Sequence, residues 1–211
     1  MYREFAAAWV GGWTVSRGTS APQLTPWGLR VDVGAAHQYA RYVMLESREP
    51  IVRDLVSRVR TPATWIKVFE RPEVVEPWLS SEWRRDDQHW LMAVDLLATP
   101  VSLPAGYSRA VEREGGVIRV TVKAADGSTA ARGQVGLDGV TAVVDQVGTE
   151  PAHQRRGLGS VVLRTLANES LESGAQTGIL GATLQGRALY EALGWKAHAP
   201  LTGFVYRPVA R

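Results

Sequence analysis

The chain has 211 residues, 45% of them hydrophobic, and a formal net charge of +3, which fits one large domain or one and a half small ones with a real core. It has no cysteine, which excludes a disulfide framework, a thiolate zinc site and a cysteine nucleophile. The histidines (His37, His89, His153 and His198) lack metal-ligand spacing, so no catalytic metal is expected, and the arginine-dominated basic residues form no tail, so no nucleic-acid arm is expected.

Phe5–Trp13 (Phe-Ala-Ala-Ala-Trp-Val-Gly-Gly-Trp) is the one signal-like run. It is short, follows Glu4 and lacks a small-residue cleavage site, so it reads as a buried strand or helix. No run is long enough to span a membrane, and a soluble cytoplasmic protein is expected. Trp27–Val33 and Tyr39–Leu45 read as strands. Pro50–Arg60 carries Ile51, Leu55, Val56 and Val59 on one helical face. Thr64–Phe69 alternates as a strand, Val74–Leu79 suits a short helix and His89–Val94 a strand. Trp65, Trp78, Trp83 and Trp90 cluster in this half. Core packing or a subunit interface, as in a homodimer, competes there with an acceptor pocket lined by aromatics.

Thr99–Gly106, with Pro100 and Pro104, reads as a linker between an N-terminal α/β segment (1–98) and a C-terminal domain (107–211). The second part opens as a meander. Tyr107–Arg113 is followed by Gly115-Gly116. Val117–Lys123 then alternates cleanly, with Ile118, Val120 and Val122 on one face. Asp126-Gly127 and Asp138-Gly139 are hairpin turns flanking Ala130–Leu137, and Val140–Val147 closes an antiparallel sheet. A helix is expected to Ser173, a buried strand at Thr177–Leu180, a helix at Leu184–Leu193 ended by Gly194, and a last strand at Phe204–Tyr206.

Between the fourth of these strands and the following helix stands Gln154-Arg155-Arg156-Gly157-Leu158-Gly159, then Ser160. A glycine-rich turn at a helix start exposes N–H groups without intrahelical partners, at the positive end of the helix dipole. That is an anion site, most often for phosphate. Val162 stands where a dinucleotide fingerprint needs its third glycine, and no Gly-Lys-Ser/Thr follows, which removes both nucleotide-loop readings.

The spacing Gln-x-x-Gly-x-Gly, with Pro151 before it and Leu189-Tyr190-Glu-Ala-Leu-Gly194-Trp195 after it, resembles the GNAT superfamily of acetyl-CoA-dependent N-acetyltransferases over residues 107–211. The resemblance implies an α/β (α+β) fold with a mixed, mainly antiparallel sheet flanked by helices. It implies acetyl-CoA as co-substrate and an amine as acceptor. It assigns the pyrophosphate to the backbone N–H groups of Arg155, Arg156, Gly157, Leu158, Gly159 and Ser160, the pantetheine arm to the strand end Val147–Thr149, and counts Gln154 among the cofactor-binding residues. Tyr190 takes the place of a tyrosine that hydrogen-bonds or protonates the sulfur. Thr183 stands where many members carry Asn, still offering a hydroxyl to the arm. A phenol near ~10 has little driving force toward a thiolate of ~8.5, so Tyr190 would help mainly by position and hydrogen bonding.

The nearest acids for a general base are Asp145 and Glu150. Asp145 is expected on one strand face with Val147 and Thr149. A salt-bridged or solvated role is as good a reading for each, His153 suits a surface or capping role, and a water chain is an alternative. GNAT domains usually insert two helices after their first strand to wall the acceptor site, and here only Glu112–Gly116 occupies that place. The wall therefore comes from elsewhere or the site is open. The first half is the candidate supplier, either as a degenerate GNAT-like half or as an interaction domain. The missing pair also motivates a non-catalytic acyl-CoA-binding sensor or assembly module, whose mark would be a pocket filled by side chains. The acceptor itself is not legible.

Overall fold

The computed structural model describes residues 2–208. Helix α1 (Tyr2–Arg17) forms from an alanine-rich start. Its buried side chains Ala6, Trp9, Val10 and Trp13 recur at the three-and-four spacing of a single helical face. Gly18, at φ +60°, closes it. Gly12 inside this helix has a packing reason: a Cβ there would lie 2.4 Å from Val143 Cγ2 and 2.9 Å from the carbonyl of Gly136. Helix and sheet backbones touch there, and no larger residue fits.

The strands are β1 (Gln23–Thr25), β2 (Gly28–Ala35), β3 (Gln38–Met44), β4 (Thr64–Val68), β5 (Trp83–Arg85), β6 (His89–Asp95), β7 (Tyr107–Glu114), β8 (Val117–Ala124), β9 (Thr129–Asp138), β10 (Thr141–Thr149), β11 (Thr177–Thr183) and β12 (Lys196–Tyr206). The remaining helices are α2 (Glu49–Arg58), α3 (Pro72–Val75), α4 (Leu158–Glu172) and α5 (Leu184–Ala192), with single-turn helices at Glu76–Trp78 and Pro151–His153. The fold is mixed α+β. The strands make one 12-stranded, mostly antiparallel open sheet ordered β1-β2-β3-β4-β12-β6-β11-β10-β9-β8-β7, with β5 against β12. Its parallel pairs are β3 with β4 and β10 with β11, each joined by a crossover helix, as parallel strands require.

The segment 99–106, expected to be a linker, holds no helix or strand and does not separate two sheets. Strand β6, from the first 98 residues, lies between β11 and β12. The last strand pairs β6 through Lys196–Leu201 and β4 through Thr202–Val205. It is therefore far longer than the Phe204–Tyr206 expected from sequence. The segment is also held down: Asn168 donates to the Thr99 carbonyl at 2.9 Å and accepts from its N–H at 3.0 Å. Trp9, Trp13, Val43, Leu91, Val143, Ile179 and Leu201 pack in one cluster beneath α1, so the two halves share a core. A second cluster lies under α4 against β8–β10 and a third under α2 against β4 and β12. Among the described residues no helix is long and apolar enough to cross a membrane.

Candidate active site

Strand β10 decides where the site opens. It pairs in parallel with β11 only at Thr141–Val143, whereas β11 continues alongside β6 to Thr183. Between Asp145 and Gly148 the register with β9 slips by one residue, and Gln146 sits at φ +54°. A bulge of this kind bends a strand and frees its edge, and left-handed backbone at a non-glycine residue marks stored strain. From Val144 onward β10 leaves β11, and a wedge opens between them.

The bulge also corrects an expectation. Asp145, Val147 and Thr149 do not share a face. Asp145 reaches α1, where it accepts from Ser16 Oγ at 3.1 Å and from Arg17 through both oxygens, the Nη2 contact being 2.9 Å. Val147 instead packs with the α4 cluster. The inserted residue reverses the alternation that a regular strand would keep.

At the end of β10 the chain makes a single helical turn and enters α4 through Gly157 at φ +78°, a conformation that favours glycine. Val161 is the first residue of the helix whose N–H reaches back, to the Gly157 carbonyl at 3.2 Å. Among the described residues no acceptor meets the N–H groups of Arg155 through Ser160. They form a row of donors at a helix start, which is the chemistry of a diphosphate cradle. Gly159 is placed by packing, since a Cβ there would come 3.0 Å from Leu189 of α5. The Gln154 amide supports the turn by donating to the Thr149 carbonyl at 3.2 Å. The Arg156 side chain turns away, donating to Tyr107 Oη at 2.9 Å, so its contribution is the backbone alone.

Turn and wedge open into a cavity of about 790 Å³. Thr149, Gln154, Arg155, Gly157, Leu158, Gly159, Ser160, Thr183 and Tyr190 all line it, as do Asp145 and Val147. Glu150 does not; it is exposed, and its N–H bonds the Ala130 carbonyl. Thr183 caps α5, its hydroxyl oxygen accepting from the Gly186 N–H at 3.0 Å. That leaves its own proton for a ligand. Tyr190 packs edge-on to Trp195 at 5.9 Å. Burial, then the negative charge of Asp145, pushes its phenol up to about 12. It is a donor at any physiological pH.

The far wall of the cavity was not legible in the sequence. It consists of Trp9, Trp13 and Arg17 from α1, Arg41 from β3, Lys67 from β4, with Asp86 and His89. No motif marks these residues, because sheet order and a helix crossing bring them in. Lys67 is 6% exposed and pairs with Asp86 at 2.9 Å. Burial and the neighbouring Arg41 lower its amine from the ordinary value. The His89 Nδ1 lies 2.8 Å from the Asp87 carbonyl. A carbonyl can only accept, so that nitrogen carries the proton and Nε2 is left as the acceptor of the neutral ring. Burial first, then Lys67, holds His89 below the usual histidine value. His153 lies outside this cavity, near Tyr107 at 3.0 Å. A second cavity, of about 580 Å³, sits at the opposite end of β11, beside Thr177 and Trp195. Among the described residues no group of three or more His, Asp or Glu is arranged to hold a metal.

Trp9, Trp13, Arg17, Arg41 and Lys67, all from the first half of the chain, line this cavity together with Tyr190. Residues 68–195 match the model described as the acetyltransferase (GNAT) family. The fold is similar to that of a GCN5-related N-acetyltransferase from Kribbella flavida, with a TM-score of 0.67, 17% identity, and coverage of 98% of this chain and 96% of that one. It is similar to a GCN5-related N-acetyltransferase from Sphaerobacter thermophilus (TM-score 0.54, 14% identity, 77% and 66% covered). It is also similar to a tandem GNAT protein from the clavulanic acid biosynthesis pathway (TM-score 0.55, 12% identity, 81% and 76% covered). At such identities the likeness is one of fold. No curated protein matches the sequence.

Proposed function

Because the chain belongs to the GNAT family of acetyltransferases and is an acyltransferase, we propose that it passes the acetyl group of acetyl-CoA directly to a primary amine. The observation that carries this reading is the donor row Arg155–Ser160 opening onto the same cavity as Tyr190. The donor thioester supplies the activated acyl carbon. The N–H row and the dipole of α4 bind its diphosphate, and the unpaired edge of β10 from Val144 to Thr149 accepts the amide-rich arm as an added strand. With no cysteine in the chain, direct attack by the amine is the simplest route.

An alkyl ammonium near ~10.4 must lose a proton before it attacks. His89 is the best-placed base, because Nε2 is an acceptor and the ring is neutral at pH 7. Arg17, Arg41 and Lys67 assist from the same cavity, since nearby cations lower the pKa of an ammonium. Asp145, with both oxygens engaged by Arg17, is better suited to pin α1 to the bulge and to keep Tyr190 protonated. Glu150, outside the cavity, has no reach.

Tyr190 Oη donates a hydrogen bond to the leaving sulfur. Full transfer from a phenol at about 12 to a thiolate of ~8.5 is uphill by about 5 kcal/mol, so the final proton comes from solvent.

Calorimetry with acetyl-CoA, followed by thiol release with a panel of primary amines, tests the reading. Binding in the micromolar range and amine-dependent release are expected. No heat at high micromolar acetyl-CoA would sink it.

A further inference from the structure

The charges around the cavity do not cancel. Arg17 is bound by Asp145, and Lys67 by Asp86. Two cations of the cavity are left over, Arg155 at the turn and Arg41 across from it: among the described residues no carboxylate lies within ion-pair distance of either. The Arg41 guanidinium lies 4.0 Å from the ring centroid of Trp13 and 6.0 Å from that of Trp9. With its amide oxygen turned toward Arg41, buried Gln38 accepts from Nε at 2.7 Å and from Nη2 at 3.0 Å. Burial, then repulsion from Arg17, pushes Arg41 down to about 10 against the weaker pull of Asp145 and Asp86, neither of which pairs with it directly, so it stays charged at neutral pH.

An enclosed cation without a counter-ion costs stability unless something else compensates it. A guanidinium stacked on an indole and steadied by one amide is pre-organised to present its remaining N–H groups to an oxyanion. In the acyl-transfer reading the phosphates of the donor are not that oxyanion, since the N–H row and Arg155 at the turn after β10 take them.

Resting on the acyl-transfer reading above, we propose that Arg41 binds an anionic oxyacid group, a carboxylate or a phosphate, of the amine acceptor. The acceptor class is then a small zwitterionic amine. Its anionic end meets Arg41, its body lies along Trp9 and Trp13, and its amine points toward His89 and the wedge in the sheet.

The test uses the full chain and matched probes: β-alanine with β-alaninamide, L-phenylalanine with L-phenylalaninamide, and phosphoethanolamine with ethanolamine. Binding of each to protein saturated with CoA is measured by calorimetry, and transfer is measured by thiol release. A charged hydrogen bond pair predicts a preference of about tenfold or more for the anionic member of at least one pair. Which pair responds separates carboxylate from phosphate. Arg41→Met should erase that ratio through KM, and Arg41→Lys should restore part of it; Arg41→Gln replaces the Met variant if circular dichroism shows the latter unfolded. Equal use of both members of every pair, or their preference for the neutral member, overturns the inference and leaves the acyl-transfer reading intact. Anion binding that depends on Arg41 without transfer to any amine upholds the anion site and overturns that reading instead. No binding of any anionic probe overturns the inference.

Discussion

The molecule contains two strand–helix–strand units of the same design, β3–α2–β4 and β10–α4–β11, and one of them opens. In the first, pairing runs from Ala40 with Thr64 to Met44 with Val68, up to the end of both strands. Its turn, Leu45-Glu46-Ser47-Arg48, has no glycine. Pro50 removes one donor from the first turn of α2, and the Arg48 carbonyl accepts from Ile51 and Val52. In the second, pairing stops after Val143, a bulge turns β10 aside, and Gly157 lets the helix begin with its N–H groups unpaired. A parallel crossover is thus only a frame. A ligand slot needs a strand that leaves its neighbour and a turn whose donors stay unspent. The closed unit contributes Arg41 and Lys67 to the wall of the slot made by the open one.

The sharpest way to break this contrast is to close the open turn. Gly157→Val forces a β-branched residue into left-handed backbone and places side-chain atoms in the cradle. Acetyl-CoA affinity, read by calorimetry, should fall about a hundredfold or more, a loss of roughly 2.7 kcal/mol. Unchanged affinity would mean that the donor row is not the diphosphate site.

Next come the chemical groups at the end of the slot. Tyr190→Phe should lower kcat by roughly ten- to a hundredfold while the acetyl-CoA dissociation constant holds; a merely packed ring would leave kcat alone. His89 sets a pH dependence. In the proposed transfer its neutral form is the base, and its value lies below the ordinary histidine value. Rate should therefore be full above that value and fall as pH drops through it. His89→Gln should remove this acid limb from the profile of kcat/KM. Tyr190, at about 12, adds no basic limb at physiological pH.

A smaller effect is expected where the open unit is tied to α1. Asp145→Asn weakens the contacts to Arg17 and Ser16. Arg17 is 41% exposed, so the loss is set at about 1 kcal/mol in chemical denaturation, below the range for a hydrogen bond to a charged group. The smallest is the matched change in the closed unit. Glu46→Ala removes partly exposed pairs with Arg3 and Arg48 and should shift stability by under ~0.5 kcal/mol with no change in acetyl-CoA binding. A cofactor effect there would show that the two turns are not functionally distinct.

Whatever depends on a few neighbouring residues was legible in the sequence. Glycines at Gly157 and Gly159 between a β-branched run and an apolar helix define a donor turn, because backbone freedom and helix ends are local properties. The alternation of Val117–Lys123, the hairpin dipeptides and the placement of Tyr190 before Leu-Gly-Trp are local too. The bulge at Gln146 was not legible, since nothing in Val-Val-Asp-Gln-Val announces an extra residue, and the face of Asp145 relative to Val147 changed with it. Strand exchange was not legible either. Strand β6 lies between β11 and β12 because apolar faces from both halves must be buried under α1, a bargain among residues far apart in the chain. That long-range packing carries Arg41, Lys67, Asp86 and His89 to the cavity. Local sequence encodes the glycine turn and its row of unpaired N–H groups. What faces that turn follows from the fold, because side chains on separate strands become neighbours through sheet order and core burial, which no local pattern encodes.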